Sequence, residues 1–320
     1  MSELTPLHEL RSKIEEIIVG QESVIDRLLI ALLSGGHVLL EGPPGLAKTT
    51  LVHSLAAGMN ARFQRVQFTP DLMPADLTGS EVFDANSGSF RFIEGPLFHE
   101  VLLADEINRA PPKVQSALLE AMAEHQITVA GKTYSLPPVF MVLATQNPLE
   151  QSGTYPLPEA QLDRFLFKIV LDYPSIDEEI EITRRARAAQ EGHVEADMQA
   201  LLTPSELLAL RETLNHVYIE ERVERFAIEL VSATRRLNQY IPEWGGYVKA
   251  GASPRASIAL IQAATARALL NQRDFVLPED IYALAVDVLR HRLVLSFSAK
   301  ADGVTEESVI HRLLETLPAV

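Results

Sequence analysis

The 320 residues are too many for one average domain and enough for two, and an apolar content of 47% is that of packed globular cores. Acidic residues outnumber basic ones by 43 to 28, a formal charge of −15 that repels phosphate backbones and anionic lipid surfaces, and the basic residues are spread singly rather than gathered in a patch. The lack of cysteine excludes disulfides, thiolate metal sites and cysteine nucleophiles, and it fits a reducing, cytoplasmic setting.

Along the chain, MSELTPLHELRSKIEEIIVG reads as a charged amphipathic helix rather than an apolar signal core, and no apolar stretch is long enough to span a bilayer. Helical spacing over residues 7–18 stops before Gly20, and a second helix is expected from Glu22 to Leu33. The run from His37 to Glu41 is short, apolar and flanked by turn residues, which suits a buried parallel strand, and a helix should start at Lys48. Strands are expected again at Phe63–Phe68, Val101–Ala104 and Val139–Ala144, with helices at Val114–Glu124 and after Pro158. This alternation predicts a doubly wound α/β domain, because parallel neighbours need crossover connections.

Two hairpins interrupt it. One pairs Glu81–Asp84 with Ser89–Ile93 across Ala85-Asn86-Ser87-Gly88, and the other pairs Gln126–Val129 with Thr133–Leu136. Beyond Tyr173-Pro174 the signal is helical to the end, with helix starts at Thr203-Pro204-Ser205-Glu206, Ser253-Pro254 and Pro278. The expected division is an α/β domain over residues 1–173, with insertions at about 70–97 and 125–137, and a smaller all-α domain over 174–320.

Three strand ends carry the chemistry. Gly42-Pro43-Pro44-Gly45-Leu46-Ala47-Lys48-Thr49, continued by Thr50, joins a strand to a helix, the context of a phosphate loop. Backbone amides would cradle the phosphates of ATP, Lys48 would reach the β and γ groups, and Thr49 would ligate Mg2+. Ala47 stands where glycine usually precedes the lysine; its methyl group is tolerable if the residue has helical dihedrals. Val101–Glu106 ends an apolar strand in two acids, Asp105 to hold the magnesium and Glu106 to polarise the attacking water. A third strand ends in Ala144-Thr145-Gln146-Asn147-Pro148, where Asn147 could bond both the water and the γ-phosphate, although asparagine before proline is also common turn chemistry.

These elements, in this order after Ile18-Val19-Gly20-Gln21, resemble an AAA+ ATPase, and the strings GPPGLAKT, LLADEINRAPPKVQSALLEAM, ATQNP and LPEAQLDRF resemble the MoxR family over nearly the whole chain. The resemblance implies that Val19 and Gly20 lie against the adenine, and that the two hairpins are a helix-2 insert and a pre-sensor insertion facing a pore or a partner. It implies an arginine finger for a neighbouring subunit at Arg164 and a γ-phosphate sensor at Arg255, although surface ion pairing is the usual fate of an arginine. Arg109 is a further candidate for an inter-subunit contact. His37, His99 and His125 lack a metal-ligand spacing, and Trp244 falls in a loop of the helical part.

The family implies a homo-oligomeric, hexameric ring that remodels or matures a client enzyme, sometimes by cofactor or metal insertion, with a von Willebrand factor A domain partner. A magnesium-chelatase ATPase subunit shares these insertions and is the alternative enzyme reading. A DNA motor would need basic pore hairpins, whereas these offer Arg91 and Lys132 against Glu81, Asp84 and Glu94. A non-hydrolysing scaffold would need a damaged site.

Overall fold

The computed structural model describes residues 4–85, 88–148, 153–190 and 198–318, so Asn86 and Ser87 of the first expected hairpin lie outside the described residues. By contacts the chain forms two compact units, one running through Leu157 and adding Ile169–Ala209, the other joining Pro158–Lys168 to the chain from Leu210 onward. Their edges differ from the expected division near residue 173. The physical reason is hydrogen bonding: Arg292 and His291 hold carbonyls of Phe165 and Leu166, while the amides of Leu201 and Leu202 donate to Gly58 O.

In the first unit, α1 (Thr5–Ile17) and α2 (Glu22–Ser34) lead into β1 (Val38–Glu41), the phosphate loop and α3 (Lys48–Gly58). Then come β2 (Phe63–Gln67), α4 (Pro74–Thr78), β3 (Gly79–Asp84), β4 (Ser89–Glu94), β5 (Val101–Asp105) and α5 (Pro112–Glu124). The strands β6 (Gln126–Val129), β7 (Lys132–Ser135), β8 (Met141–Gln146) and β9 (Phe167–Val170) and the helix α7 (Ile176–Gln190) complete the α/β part, while α6 (Glu159–Leu162) and the first two residues of β9 are grouped with the second unit.

The main sheet has the order β2-β5-β8-β1-β9, with β2, β5, β8 and β1 mutually parallel. Leu39, Leu102, Leu103, Val142 and Leu143 are fully buried, which explains why these strands read as continuous apolar runs: both faces are covered. β2 is the edge strand and differs in kind. Its Phe-Gln-Arg-Val-Gln sequence keeps polar side chains accessible along one side.

The hairpins form as expected. Phe83 and Phe90 meet edge to face at 5.4 Å near the tip of β3–β4 and stay 55% and 66% exposed. Phe92 stacks on Tyr134 at 4.2 Å, and Lys132 pairs with Glu81 at 3.4 Å, so the two hairpins are fastened to each other.

The second unit contains most of the later helices: α8 (Pro204–Thr213) at its edge, then α9 (Glu221–Arg235), α10 (Leu237–Tyr240), α11 (Pro254–Leu270), α12 (Pro278–Leu289), α13 (Phe297–Ala301) and α14 (Glu306–Thr316). Leu230, Leu260, Leu284 and Leu313 form its core at 0% exposure. The expected helix starts hold: Thr203 and Glu206 cap each other reciprocally, Ser253 Oγ accepts from the Arg255 amide, and Asp280 accepts from the Leu277 amide. A small antiparallel pair, β10 (Val248–Ala250) and β11 (Val294–Leu295), was too short to read from periodicity.

Candidate nucleotide site

Strand order brings four carboxyl ends side by side, the end of an open parallel sheet where ligands bind. The register aligns Gln67 with Asp105, Ala104 with Ala144 and Glu41 with Gln146, so the phosphate loop, the acidic pair and the Asn147 strand end at one level.

The loop is shaped by glycine at two points. A Cβ on Gly42 would meet the Leu171 side chain and carbonyl at 2.8 Å, so only glycine fits there; Gly45 has φ +86°, a left-handed conformation that glycine adopts without strain. Lys48 begins α3 and folds back to donate from Nζ to Gly42 O at 2.6 Å. Burial pulls its pKa below the usual lysine value, opposed by Asp105, Glu106 and Glu41.

Ala47 departs from the helical dihedrals that would make its methyl group tolerable. At φ 52° and ψ 24° it is left-handed and stands before the helix as its cap, so its Cβ crowds the following carbonyl. Its carbonyl still accepts from the Leu51 amide at 2.9 Å. The backbone strain therefore sits next to Lys48.

The acids are held in place by Thr145 from the neighbouring strand. Its hydroxyl donates to Asp105 Oδ1 at 2.6 Å and accepts from the Glu106 amide at 2.8 Å, linking the two residues through one oxygen. Asp105 Oδ2 pairs with Arg65 at 2.5 Å, and Glu106 Oε2 accepts from Gln67 at 2.6 Å and Arg109 at 2.8 Å. Arg109 thus meets Glu106 within its own chain. Glu106 is itself left-handed, at φ 56° and ψ 50°.

Sequence reasoning passed over Arg65, Gln67 and the bridging role of Thr145. The available signal was the pair of polar side chains two apart on one strand face, but that β2 neighbours β5 could not be read from the chain.

Beside the loop lies a pocket of about 1140 Å³, lined by Ile18–Gln21, Pro44–Ala47, Thr50, His53, Asp172–Pro174 and Glu178. Val19 and Gly20 therefore face the same space as the phosphate loop, and Gln21 Nε2 ties the two by donating to Leu46 O at 3.2 Å. Pro43 is buried at the loop's start, Thr49 lies half-buried on the first turn of α3, and Asn147 follows directly on β8. Arg164 and Arg255 belong to the second unit, Arg164 just past α6 and Arg255 in the first turn of α11. Of the histidines, His37 is packed in the core, accepting from the Val142 amide at Nδ1 and facing Met122 O with Nε2.

Comparison with known proteins agrees with this geometry. The chain matches the ATPase family associated with various cellular activities (AAA) over residues 37–167 and the AAA lid domain over residues 246–313. It is 44% identical over 317 residues to chaperone MoxR1 of Mycobacterium tuberculosis, covering 99% of this chain and 83% of that one. Protein MoxR of Methylorubrum extorquens is 31% identical over 331 residues, covering 96% of this chain and 93% of that one. A crystal structure from Cytophaga hutchinsonii, described as a candidate ATPase, superposes with a TM-score of 0.93 at 44% identity, covering 100% of this chain and 96% of that one. The chain belongs to the MoxR family of AAA+ ATPases, and the reaction it catalyses is ATP hydrolysis.

Proposed function

We propose that the protein is a Mg-ATP-driven, chaperone-like machine that works as a hexameric ring in the cytoplasm, remodelling or maturing a client enzyme with a von Willebrand factor A domain partner. Metal or cofactor insertion into that client is one form such maturation takes. The observation that carries the reading is the acidic pair tied by Thr145 beside the Lys48 loop, because a binding-only scaffold has no need of a second, positioned carboxylate.

In this reading Lys48 and the loop amides bind the phosphates, and Thr49 and Asp105 supply the hard oxygen ligands that Mg2+ prefers. When bound, that ion neutralises charge developing on the phosphates. Glu106 takes the proton of the attacking water, and Asn147 orients that water against the γ-phosphate. Asp105 would hold that ion directly or through water, with Arg65 paired to its Oδ2. Arg164 enters the neighbouring subunit's site, and Arg255 senses the γ-phosphate. We take the functional border near Tyr173, after the last strand of the sheet. The name chaperone borne by the Mycobacterium tuberculosis relative and the exposed phenylalanines of the β3–β4 tip support a protein client.

Two inactive proteins test the ring. Arg164→Ala keeps its own loop and base but offers no finger, and Glu106→Gln offers the finger but lacks the base. Each alone should be inactive, and mixing them in equal amounts with subunit exchange should restore turnover up to roughly a quarter of wild type, the share of complete interfaces. No recovery despite demonstrated exchange would show that catalysis is not shared between subunits in this way.

A further inference from the structure

Arg292 ends the 3-10 turn Arg290–Arg292 that follows α12, and its side chain is only 3% exposed. Nearly all of its donors converge on one short stretch of chain. Nε donates to Asp163 Oδ1 at 2.7 Å, Nη2 to the carbonyls of Phe165 at 2.7 Å and Asp163 at 3.2 Å, and Nη1 to the carbonyls of Leu166 at 3.2 Å and Val288. His291 adds a bond from Nε2 to Phe165 O at 3.0 Å; burial, then the Arg292 charge, holds its pKa well down, so the ring is the neutral donor. The residues on either side of Arg164 are therefore fastened by a buried cation and its neighbour.

A buried guanidinium needs many partners merely to be tolerated, so these bonds alone could be structural. The second carboxylate oxygen of Asp163 is harder to account for that way. Oδ2 accepts from Ser253 Oγ at 3.0 Å, and the same hydroxyl caps α11 by accepting from the Arg255 amide at 3.2 Å. A helix cap has only to accept from the backbone. Here the spare hydroxyl proton is aimed at Asp163, which gives one continuous chain of bonds from Arg292 through Asp163 and Ser253 to the backbone of Arg255. All of these residues lie in the second compact unit.

We propose that Asp163 is a positioning residue that ties the arginine finger to the first turn of α11, so that Arg164 and Arg255 are presented as one body. Displacement of either arginine then reaches the other without passing through the nucleotide. This deepens the ring reading and rests on Arg164 being a finger that acts on a neighbouring subunit.

The test uses the full chain and the mixing assay with Arg164→Ala plus Glu106→Gln as its control. Asp163→Asn keeps the shape, and its carbonyl can still face Arg292, but it loses the charge that both Arg292 and Ser253 donate to, and Ser253 must turn its hydroxyl away and accept from the amide instead, which weakens the tie to α11. Turnover should fall by up to about 100-fold, the scale of a misplacement near 1 Å, with ATP affinity at its own site unchanged. Mixed with Glu106→Gln, it should recover as far as the control does, since its own base is intact. Mixed with Arg164→Ala, it should not recover, because neither protein offers a finger in place. A subunit that is merely loosened would fail in both mixtures.

Ser253→Ala leaves the Asp163–Arg292 pair whole and should reproduce the same sorting with a loss of roughly 10-fold, reversed by Ser253→Thr. It also takes the place of Asp163→Asn in both mixtures if that variant does not fold. Wild-type turnover of both variants, failure to recover with Glu106→Gln while the control recovers, or recovery with Arg164→Ala would overturn the proposal and leave the finger assignment standing. Failure of the control itself would overturn both.

Discussion

Ala47 and Glu106 both hold left-handed backbone, at φ 52° and 56°, in a site where one precedes the phosphate lysine and the other is the proposed base. Such a conformation costs about 1–2 kcal/mol for a residue with a Cβ, and it persists where surroundings over-determine it. For Glu106 those surroundings are Thr145 on its amide and Gln67 and Arg109 on its carboxylate. Thr145→Val keeps the shape but leaves the Glu106 amide and Asp105 Oδ1 without this partner, so stability should drop by about 1–3 kcal/mol in urea unfolding, and turnover should fall while ATP affinity holds. Lys48→Ala removes the main cation facing the phosphates, and a nucleotide titration should show affinity weakened about 10- to 100-fold. Glu106→Gln should bind Mg-ATP normally and turn over about 100- to 10,000-fold more slowly; an unchanged rate would place the base elsewhere.

Among elements, the junction of α11 and α12 depends on one fully buried acid. Asp280 is 0% exposed, pairs with Arg273 at 2.7 Å and with Arg267, and caps α12 by accepting from the Leu277 amide at 2.8 Å. Burial alone would raise its pKa, but the bonds from Arg273, Leu277 and Arg267 outweigh it and leave the pKa below the ordinary carboxylate value. A depressed folded-state pKa means that the stabilisation is present above the unfolded carboxylate's pKa of about 3.9 and is lost as pH falls through the lower folded value. Asp280→Ala should therefore lower stability at pH 7 by about 3–5 kcal/mol, because two arginines lose their counter-ion, and the deficit should shrink in acid. Chemical denaturation at pH 7 and near pH 3 reads both effects. A deficit independent of pH would mean that packing, not charge, holds this junction.

For the molecule as a whole, the formal charge of −15 and the paired hairpins set what it can grip. Lys132 is already engaged by Glu81, and the tip presents phenylalanine rather than a cationic stripe. Duplex or single-stranded DNA should show no binding that rises as salt is lowered, whereas a nucleic-acid motor would show a steep salt dependence. No helix among the described residues is long and apolar enough to cross a membrane. Native mass measurement of Glu106→Gln with Mg-ATP should give six copies per assembly, and a monomer at concentrations that support turnover in the wild type would contradict a ring-based cycle.

The phosphate loop, the acidic strand end and the three capped helix starts were legible because each is written in contiguous residues: an apolar run, a turn and a cap lie within a dozen positions, and short-range chemistry decides them. The same holds for the α/β alternation followed by helices, and so for the fold. What the chain could not disclose depends on segments that meet only after folding. Arg65 reaches Asp105 from 40 residues away, and Arg292 reaches Asp163 from 129, so neither pairing leaves a local pattern. Ala47 shows the reverse limit, a local conformation set by its surroundings: helical dihedrals would have made its methyl group tolerable, but the turn from β1 into α3 puts it left-handed. Strand adjacency, the buried cation behind Arg164 and the strain beside Lys48 were decided by tertiary packing, because a side chain's partners are chosen by which elements share a face and not by their order in the chain.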